Sequence, residues 1–329
     1  MSTSTQTNAG GRGTKFDLVA LIPFIGWHLL LVPGFLFIDF KWEYAALVVA
    51  TYVLRMFGVT AGYHRYFSHR AFKTNRAFQF VLAFLAQTSA QKGVLWWAAN
   101  HRHHHRHSDQ EQDLHSPVRS GFWWSHMGWF MASDYEATRL ESIRDFARFP
   151  ELVWLNRFHA VPALVALGVM WLLGGVPWMF YGGVVSTVLL WHGTFTINSL
   201  SHIFGSRRYV TTDTSRNNFL LALLTMGEGW HNNHHFHQNT ANQGWFWWEL
   251  DATYAILKVL SFLGLVSDLR LVSDQTKYSY RAYGEAQQAQ LAAEATFNLW
   301  RKPAPPTPSK TPDEVPALGG LAPQPLLKR

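Results

Sequence analysis

The sequence predicts an all-α integral membrane protein, in which four transmembrane helices form two hairpins and a cytoplasmic helical cap carries histidine boxes. Three observations support this fold class. Several apolar segments have roughly the 20 residues that a bilayer crossing needs. Charged residues make up only 15% of the 329-residue chain, against about 25% in soluble proteins. Eight of the seventeen histidines fall in three short groups at or beyond the ends of apolar segments.

The predicted transmembrane segments follow one another as two pairs. They are residues 16–40 and 44–63, then residues 158–173 and 178–200. A short polar break around Lys41 separates the first pair, and the Gly-Gly-Val-Pro sequence at 174–177 separates the second with residues that favour turns. Two hairpins place both termini and every histidine group on one side of the membrane.

Two further apolar segments are interpreted as lying outside the bilayer core. Residues 78–99 contain two glutamines and Lys92, and a crossing there would put two histidine groups on opposite membrane faces. We therefore expect this segment to be interfacial or buried against the first hairpin. Residues 253–266 contain Lys258 and are expected to lie at the membrane surface.

The basic residues indicate the orientation of the chain. Lys and Arg flank the histidine groups, whereas the two hairpin turns contain only Lys41, so the positive-inside rule places the groups and both termini in the cytoplasm. In a bacterium this membrane is the plasma membrane. The net charge of +7 accompanies no nucleic-acid-binding motif, so no nucleic-acid partner is expected. A membrane domain at 15–300 is predicted between disordered tails, 1–14 and the proline-rich 301–329.

The spacing of the histidines predicts metal sites. On a helix, positions i, i+3 and i+4 share one face. Two groups of three histidines have this spacing, and a third group consists of two histidines. The groups are His101, His104 and His105, then His231, His234 and His235, and finally His64 and His69. Cysteine is absent, so nitrogen and oxygen must hold any metal, and imidazole suits iron, copper, nickel or zinc. Eight histidines exceed the four ligands of one site, which favours two ions.

The end of the fourth predicted span adds two candidates. His202 is a ninth possible ligand, and Asn198, one turn earlier on the same helical face, is placed to hold a metal-bound water. Carboxylates are scarce around the histidine groups, with Glu228 and Asp109 the nearest. This scarcity distinguishes the site from bundle-core di-iron proteins, whose ligands include several glutamates.

The remaining histidines receive weaker interpretations. Three lie off the helical faces and are expected to be solvent-exposed or to support the ligands, namely His103, His107 and His237. Three are isolated on apolar segments and are expected to be hydrogen-bonded core residues, namely His28, His159 and His192. His115 and His126 stay open, with a role behind the ligands as one option. Arg55 either extends toward the cytoplasmic face or helps to shape a pocket.

Five motifs together resemble the integral-membrane acyl-CoA Δ9 desaturases of the stearoyl-CoA desaturase type. They are TAGYHRYFSH (60–69), HRHHH (101–105), GFWWSHMGW (121–129), NSLSH (198–202) and GEGWHNNHH (227–235). The resemblance covers roughly residues 16–280, and the set of motifs in this order is highly specific.

The resemblance implies a non-haem centre of two iron ions with O₂ as co-substrate. The ligands that it implies by motif are His64, His69, His101, His104, His105, His202, His231, His234 and His235, with Asn198 acting through a water. It also implies that Gln91, Trp97 and Thr194 line the tunnel that bends the acyl chain.

Two departures from the family pattern concern the head group of the substrate. Animal acyl-CoA members carry basic residues just after the HisValGlyTrp-like motif, which lies here within residues 121–129. They also carry an arginine two positions before the histidine box that begins here at His101. Here those positions are residues 130–134 (Phe-Met-Ala-Ser-Asp) and Ala99. These changes weaken the implied contacts to coenzyme A. A saturated acyl-CoA stays the favoured substrate, and a lipid-linked or carrier-bound acyl chain stays open.

The reaction implied by the resemblance is an oxygen-dependent desaturation that leaves a cis double bond, at Δ9 on resemblance alone. The chain has no cysteine, no GxGxxG motif and no evident haem module. Electrons are therefore expected from an external donor such as ferredoxin, rubredoxin or a b-type cytochrome with its reductase. The alternatives are a membrane lipid hydroxylase or ketolase with the same site, a metal-binding or transport protein of the membrane, and a zinc hydrolase.

Overall fold

The computed structural model describes residues 16–293, which fold mostly into helices. The two predicted tails, 1–14 and 301–329, lie outside the described residues, as do the ends of the predicted 15–300 domain. The strands are short: β1 (Lys73–Thr74) and β2 (Val266–Ser267) pair antiparallel, with Lys73 opposite Ser267.

The α-helices follow in chain order. They are α1 (Leu18–Phe37), α2 (Trp42–Phe57), α3 (Arg76–Gln87), α4 (Val94–His107), α5 (Pro117–Ser120), α6 (Arg144–Ala147), α7 (Pro150–Arg157), α8 (Val161–Trp178), α9 (Ser186–Asn198), α10 (Phe219–Leu224), α11 (His231–Phe236), α12 (Ala252–Phe262), α13 (Asp274–Lys277) and α14 (Glu285–Ala293). The π-helical segments are Gly58–Ser68, Trp124–Gly128 and Met179–Val185. The 3₁₀ turns are Trp129–Met131, Ser133–Tyr135, Leu140–Ser142, Leu200–His202 and Ser279–Ala282.

Three helical runs among the described residues are long and apolar enough to cross a membrane. They are Ala20–Phe37, Trp42–Ser68 and the 42-residue Val161–His202. The third run is broken at Gly174 and Gly175, and Gly175 has the positive φ of 65° that glycine adopts without steric cost. This break lies in the predicted turn at 174–177. A side chain at Gly183 would collide with Leu167, so the two parts of the run pack against each other.

Helix α1 is apolar on all sides and largely uncovered by the rest of the chain. Only 6% of its candidate span is buried, and Leu36 and Phe37 are 72% and 83% exposed. A helix that is hydrophobic all round and uncovered by protein requires an apolar environment. The surface of helix α1 is therefore suited to contact with lipid.

Helix α2 continues without interruption into the buried π-helix Gly58–Ser68, which carries the first histidine box. Helix α3 packs directly on this segment. A Cβ at Gly58 would lie 2.9 Å from the backbone nitrogen of Ala86, and one at Gly62 would lie 3.0 Å from the carbonyl oxygen of Leu82. Because both glycines lack a side chain, the two backbones approach closely enough to fix the position of His64.

Residues 78–99 do not form one continuous helix. Helices α3 and α4 are separated at residues 88–93, and α3 has 12 residues, fewer than the roughly 20 of a crossing. The buried amide of Gln87 joins the parts, because it donates to the Leu155 carbonyl and accepts from the Val94 backbone N–H.

Arg55 is 6% exposed and does not extend to the surface, so the first of its two sequence interpretations is wrong. Its guanidinium donates to the hydroxyl groups of Thr187 and Ser186 and to the Gly182 carbonyl. It also lines a small cavity of about 90 Å³. Arg55 therefore attaches α2 to the start of α9 and shapes a pocket there.

Candidate metal centre

Nine histidines converge as two adjacent clusters. The five-histidine cluster contains His64, His69, His101, His105 and His234, and the four-histidine cluster contains His104, His202, His231 and His235. Within each cluster the candidate ligand nitrogens lie within 4.8 Å of one another. The rings of His105 and His235 are 4.4 Å apart, so the clusters are contiguous. The structure thus brings together all nine histidines that the sequence singled out.

Two helices contribute to both clusters in a reciprocal way. Helix α4 contributes His101 and His105, at positions i and i+4, to the five-histidine cluster. It contributes His104, at position i+3, to the four-histidine cluster. Helix α11 contributes His231 and His235 to the four-histidine cluster and His234, at position i+3, to the five-histidine cluster. The three imidazoles of each box are therefore divided between the two clusters. Each helix lies between the clusters and serves both.

The nitrogen contacts in the five-histidine cluster do not match a hydrogen-bond network. Four Nε2–Nε2 separations of 2.9–3.0 Å join His64 to His234, His234 to His105, His105 to His101, and His101 to His69. A neutral Nε2 has either one proton or one lone pair, so it makes one hydrogen bond at most. Four such contacts among five nitrogens exceed that limit. Imidazoles that share a metal ion at about 2.0–2.1 Å have nitrogens about 3 Å apart, so these residues fit a metal.

The four-histidine cluster fits a metal by the same criterion. The Nε2 atoms of His202 and His231 are 3.1 Å apart. Nε2 of His235 is buried without a hydrogen-bond partner, while its Nδ1 is bonded to Asp213. A buried polar atom without a partner is rare in folded proteins. The lone pair of this nitrogen is free for a metal ion.

The environment keeps several of the ligand imidazoles neutral, whereas at His202 the charge and hydrogen bond of Asp109 outweigh burial and raise the pKa. Burial, followed by repulsion from neighbouring imidazoles, lowers the pKa of His69, His101, His231 and His234 well below the ordinary value of 6.5. A neutral imidazole offers a lone pair to a metal, whereas a protonated one does not. The electrostatics therefore favour the metal-binding form.

Four carboxylates accept hydrogen bonds from the outer Nδ1 nitrogens of the clusters. Asp113 bonds His104 at 2.8 Å, Asp213 bonds His235 at 2.6 Å, and Asp109 bonds His202 at 3.2 Å. Glu228 bonds His64 in the other cluster. The expectation of scarce carboxylates is wrong, since sequence reasoning found Asp109 and Glu228 but missed Asp113 and Asp213. Their spacing from the histidines follows no helical period that would have revealed them.

These carboxylates are ionised. Burial by itself raises the pKa of Asp109, Asp113, Asp213 and Glu228, but the adjacent imidazoles and hydrogen bonds outweigh it, so each pKa lies below its usual range. Such a carboxylate fixes the tautomer and orientation of its histidine. The four bonded imidazoles are held with Nε2 toward the interior of the clusters.

An apolar cavity of about 490 Å³ ends beside the histidines. His101 and Asn198 form part of its wall, and the rest is mostly aromatic and aliphatic, including Phe24, Trp27, Leu167, Trp191 and Phe195. The three predicted substrate-binding residues line the same cavity and contact one another. Gln91 Nε2 donates to Thr194 Oγ1 at 3.1 Å, and Trp97 Nε1 donates to Gln91 Oε1 at 3.4 Å. The Trp97 ring stacks on His101.

Three other histidines form a row between α1 and α9, which we call the histidine row. His28 Nδ1 donates to the Phe24 carbonyl at 2.7 Å, so its Nε2 accepts from His192 Nε2 at 3.0 Å. Nδ1 of His192 then accepts from His126 Nε2 at 3.0 Å, and His126 Nδ1 lies 2.9 Å from Ser199 Oγ, which donates to the Phe195 carbonyl. His28 and His192 were expected to be hydrogen-bonded, and they are, with the imidazole of each as partner of the other.

The other five histidines have separate surroundings. His237 is exposed, which agrees with its expected position in solvent. His115 stacks on His104 with ring centroids 4.3 Å apart, which agrees with a role behind the ligands. His103 contacts the Gln112 carbonyl through Nε2 and belongs to neither cluster, and its ring contacts His107. His159 lines the apolar cavity. Its side chain is exposed, so the expectation of a core residue is wrong for His159.

Known fatty acid desaturases resemble this protein over most of the chain. The model of the fatty acid desaturase family matches residues 40–261. An acyl-CoA 5-desaturase of Anemone leveillei is 34% identical over 76% of this chain and 81% of its own length. An sn-2 palmitoyl-lipid 9-desaturase of Nostoc sp. is 37% identical over 78% and 90%, and an sn-1 stearoyl-lipid 9-desaturase of Synechocystis sp. is 36% identical over 75% and 78%.

The match and the site geometry agree. The family match contains all nine clustered histidines, and His101 of the five-histidine cluster lines an apolar cavity of the kind that holds an acyl chain. The chain belongs to the fatty acid desaturase family and is an oxygen-dependent acyl desaturase, an oxidoreductase.

Proposed function

We propose that this desaturase introduces a cis double bond, at Δ9, into a saturated acyl chain, with two iron ions held by the nine clustered histidines. The observation that carries the proposal is that His101 of the five-histidine cluster, which adjoins the four-histidine cluster, forms part of the wall of one apolar cavity. In the reaction, one CH₂–CH₂ unit, one O₂, two electrons and two protons become one CH=CH unit and two water molecules.

The metal pair, when bound, supplies the reduction of O₂ that removes the two hydrogen atoms. The protein supplies position and environment. His64, His69, His101, His105 and His234 are proposed to hold one ion, and His104, His202, His231 and His235 the other. Asn198 at the cavity wall is proposed to assist through a water. Imidazole ligands without direct carboxylates suit iron, among other metals.

The cavity residues are proposed to place the correct carbon atoms beside the histidines. Gln91 and Thr194 form a polar contact between the loop before α4 and helix α9, inside an otherwise apolar wall. Trp97 connects that contact to His101, since it bonds Gln91 and stacks on the imidazole. A chain that passes this fixed constriction presents a defined methylene pair to the metal centre.

The substrate head group is proposed to be a glycerolipid. The ionisable residues that line the cavity outside the metal centre are two acids, Asp17 and Glu136, with Lys92 and His159. This balance of charge suits a head group of low net charge, whereas coenzyme A carries several phosphates that favour clustered cations. The lipid 9-desaturases of Nostoc and Synechocystis act on lipid-linked chains by name, which also supports the proposal. Acyl-CoA stays the competing outcome.

The membrane arrangement proposed is four crossings in two hairpins, within one domain at residues 15–300. The break at Gly174 and Gly175 and the packing of Gly183 on Leu167 support two crossings by the 42-residue run. The histidine clusters and both termini are then on the cytoplasmic side. An external donor of the ferredoxin, rubredoxin or b-type cytochrome class is proposed to deliver electrons there.

The test uses iron-loaded protein in lipid nanodiscs, with ferredoxin, its reductase, NADPH and O₂. Fully deuterated stearoyl chains are supplied either on phosphatidylglycerol or on coenzyme A. The proposal predicts loss of two deuterium atoms from the lipid-linked chain. Loss from stearoyl-CoA alone would overturn the head-group assignment, and gain of one oxygen atom without a double bond would identify a hydroxylase.

A further inference from the structure

The two histidine clusters differ in the number of carboxylates that support them. In the four-histidine cluster, three of the four imidazoles are bonded through Nδ1 to a carboxylate, namely His104, His202 and His235. In the five-histidine cluster, the carboxylate ion pairs of the described residues include one imidazole, His64 with Glu228. The clusters thus differ in nearby negative charge.

Cations also lie close to the five-histidine cluster. Glu228 is bonded at 3.0 Å to the fully buried guanidinium of Arg65, which also pairs with Asp251. The guanidinium therefore offsets part of the negative charge of the two carboxylates behind His64. Arg102 lies near His69 and is itself paired with Asp145.

The carboxylates of the four-histidine cluster are held mainly by neutral donors. Asp109 accepts from the Ser116 hydroxyl and from the backbone and hydroxyl of Thr214. Asp113 accepts from the backbone N–H groups of Asp109 and His115. Asp213 accepts from the Thr211 hydroxyl and the Ser215 backbone N–H, and Arg207 donates to its backbone carbonyl. Three carboxylates therefore face this cluster, and each accepts hydrogen bonds from neutral donors.

The bonding of the outer nitrogens differs in the same direction. Nδ1 of His105 and of His234, both in the five-histidine cluster, is buried without a hydrogen-bond partner, and so is Nδ1 of His231 in the other. A carboxylate on Nδ1 fixes the tautomer with its lone pair on Nε2 and makes the imidazole a stronger donor to a metal. Buried negative charge also attracts a divalent cation strongly, because the surrounding dielectric constant is low.

We propose that the four-histidine cluster is the tighter of the two metal sites and fills first, with Asp109, Asp113 and Asp213 as the positioning residues that give it this affinity. This inference rests on the two-metal centre of the proposed function. The number of histidine ligands alone would predict the opposite order of affinity, because the site proposed to be weaker has five histidines.

The test measures metal binding rather than activity. Metal-free protein in detergent is titrated with Co²⁺ against a competing chelator, which resolves two dissociation constants. His69→Ala removes a ligand from the five-histidine cluster and His231→Ala removes one from the other. The proposal predicts that His69→Ala keeps the tighter constant and that His231→Ala loses it. The reverse pattern, or two equal constants in the wild type, would overturn it.

The carboxylates are tested with matched substitutions. Asp113→Asn and Asp213→Asn are expected to weaken the tighter site about 10–100-fold and leave the weaker constant unchanged. Asp113→Glu should recover part of the affinity, which a purely structural role for the side chain would not explain. Glu228→Gln is expected to weaken only the other site. Equal weakening of both constants by Asp113→Asn would contradict the assignment.

Two outcomes separate this inference from the proposed function. Absence of any bound Co²⁺ in folded wild-type protein would remove the two-metal centre itself, whereas two sites filled in the opposite order would remove only the inference. Thr214→Val provides a variant with the charges intact, because it deletes one hydrogen bond to Asp109. It is expected to weaken the tighter site less than Asp113→Asn does, and a larger effect would contradict the role of charge.

Discussion

The metal centre and the histidine row contain the same residue type in two opposite arrangements. In the centre, imidazole nitrogens converge, and their contacts exceed what neutral imidazoles can satisfy with hydrogen bonds. In the row, His28, His192 and His126 are joined end to end, and each ring nitrogen has one polar partner. In the metal centre, nitrogen lone pairs are left for a metal ion. In the histidine row, the ring nitrogens instead make contacts that connect helices.

The comparison shows that burial of a histidine does not by itself indicate a ligand. The number of partners per nitrogen distinguishes the two roles. The row also has a defined direction, because the Phe24 carbonyl accepts from His28 and so fixes each following tautomer. It connects α1 to α9, the two helices that contribute Phe24 and Trp191 to the wall of the acyl cavity.

The largest effect is expected from acid, which acts on the converging histidines. The pKa values of His69, His101, His105, His231 and His234 are lowered well below 6.5 in the folded protein, first by burial and then by neighbouring imidazoles. Below pH 6.5 the unfolded chain therefore binds more protons, and stability falls as pH falls. Each such histidine contributes up to about 1.4 kcal/mol per pH unit. Retained metal and the melting temperature should both decrease from pH 7 to pH 5.

A double variant tests whether the clusters cause this pH dependence. His69→Ala with His231→Ala removes two of the shifted groups, so the slope of melting temperature against pH should become shallower. Wild-type protein that keeps its metal and melting temperature unchanged at pH 5 would contradict the all-histidine centre.

A smaller effect is expected when the histidine row is cut. His192→Leu removes two imidazole hydrogen bonds between α1, α9 and the 121–129 segment and leaves partners on His28 and His126 unpaired. A loss of about 1–3 kcal/mol in the free energy of unfolding follows. Chelator-resistant metal content should stay at the wild-type value. Loss of metal without loss of stability would mean that the row belongs to the metal centre.

The smallest effect is expected at Thr194, which lies on α9 between the row and the metal centre. Thr194→Val keeps the shape of the side chain but removes the acceptor for Gln91 Nε2. One neutral hydrogen bond contributes about 1 kcal/mol, so we expect roughly a fivefold lower rate and a broader distribution of double-bond positions, measured by gas chromatography and mass spectrometry. An unchanged distribution would show that Gln91 and Thr194 do not position the chain.

Much of the centre could be predicted from local spacing. The repeated i, i+3, i+4 pattern identified His101, His104, His105 and their counterparts on α11, because helix geometry acts over a few residues. The same pattern could not show how each helix divides its histidines between two clusters. That division depends on where α4 and α11 lie relative to each other, which is a tertiary property.

The supporting groups were harder to predict because their partners are distant in the chain. Asp109 is 93 residues from His202, and His28 is 164 residues from His192. Neither separation has a local period, and a single histidine on an apolar segment resembles any other. The break at Gly174 and Gly175 was predictable, since glycine and proline alter the backbone directly.

The most direct test of the central claim is the fatty-acid profile of membranes from cells that express the wild type, His104→Ala or His103→Ala. His104 belongs to the four-histidine cluster, and its neighbour His103 on the same helix belongs to neither, so the pair is matched. We expect a new cis-monounsaturated acid with the wild type and with His103→Ala, and its loss with His104→Ala. An equal amount of that acid in all three, or none with folded, iron-loaded wild type, would contradict the account.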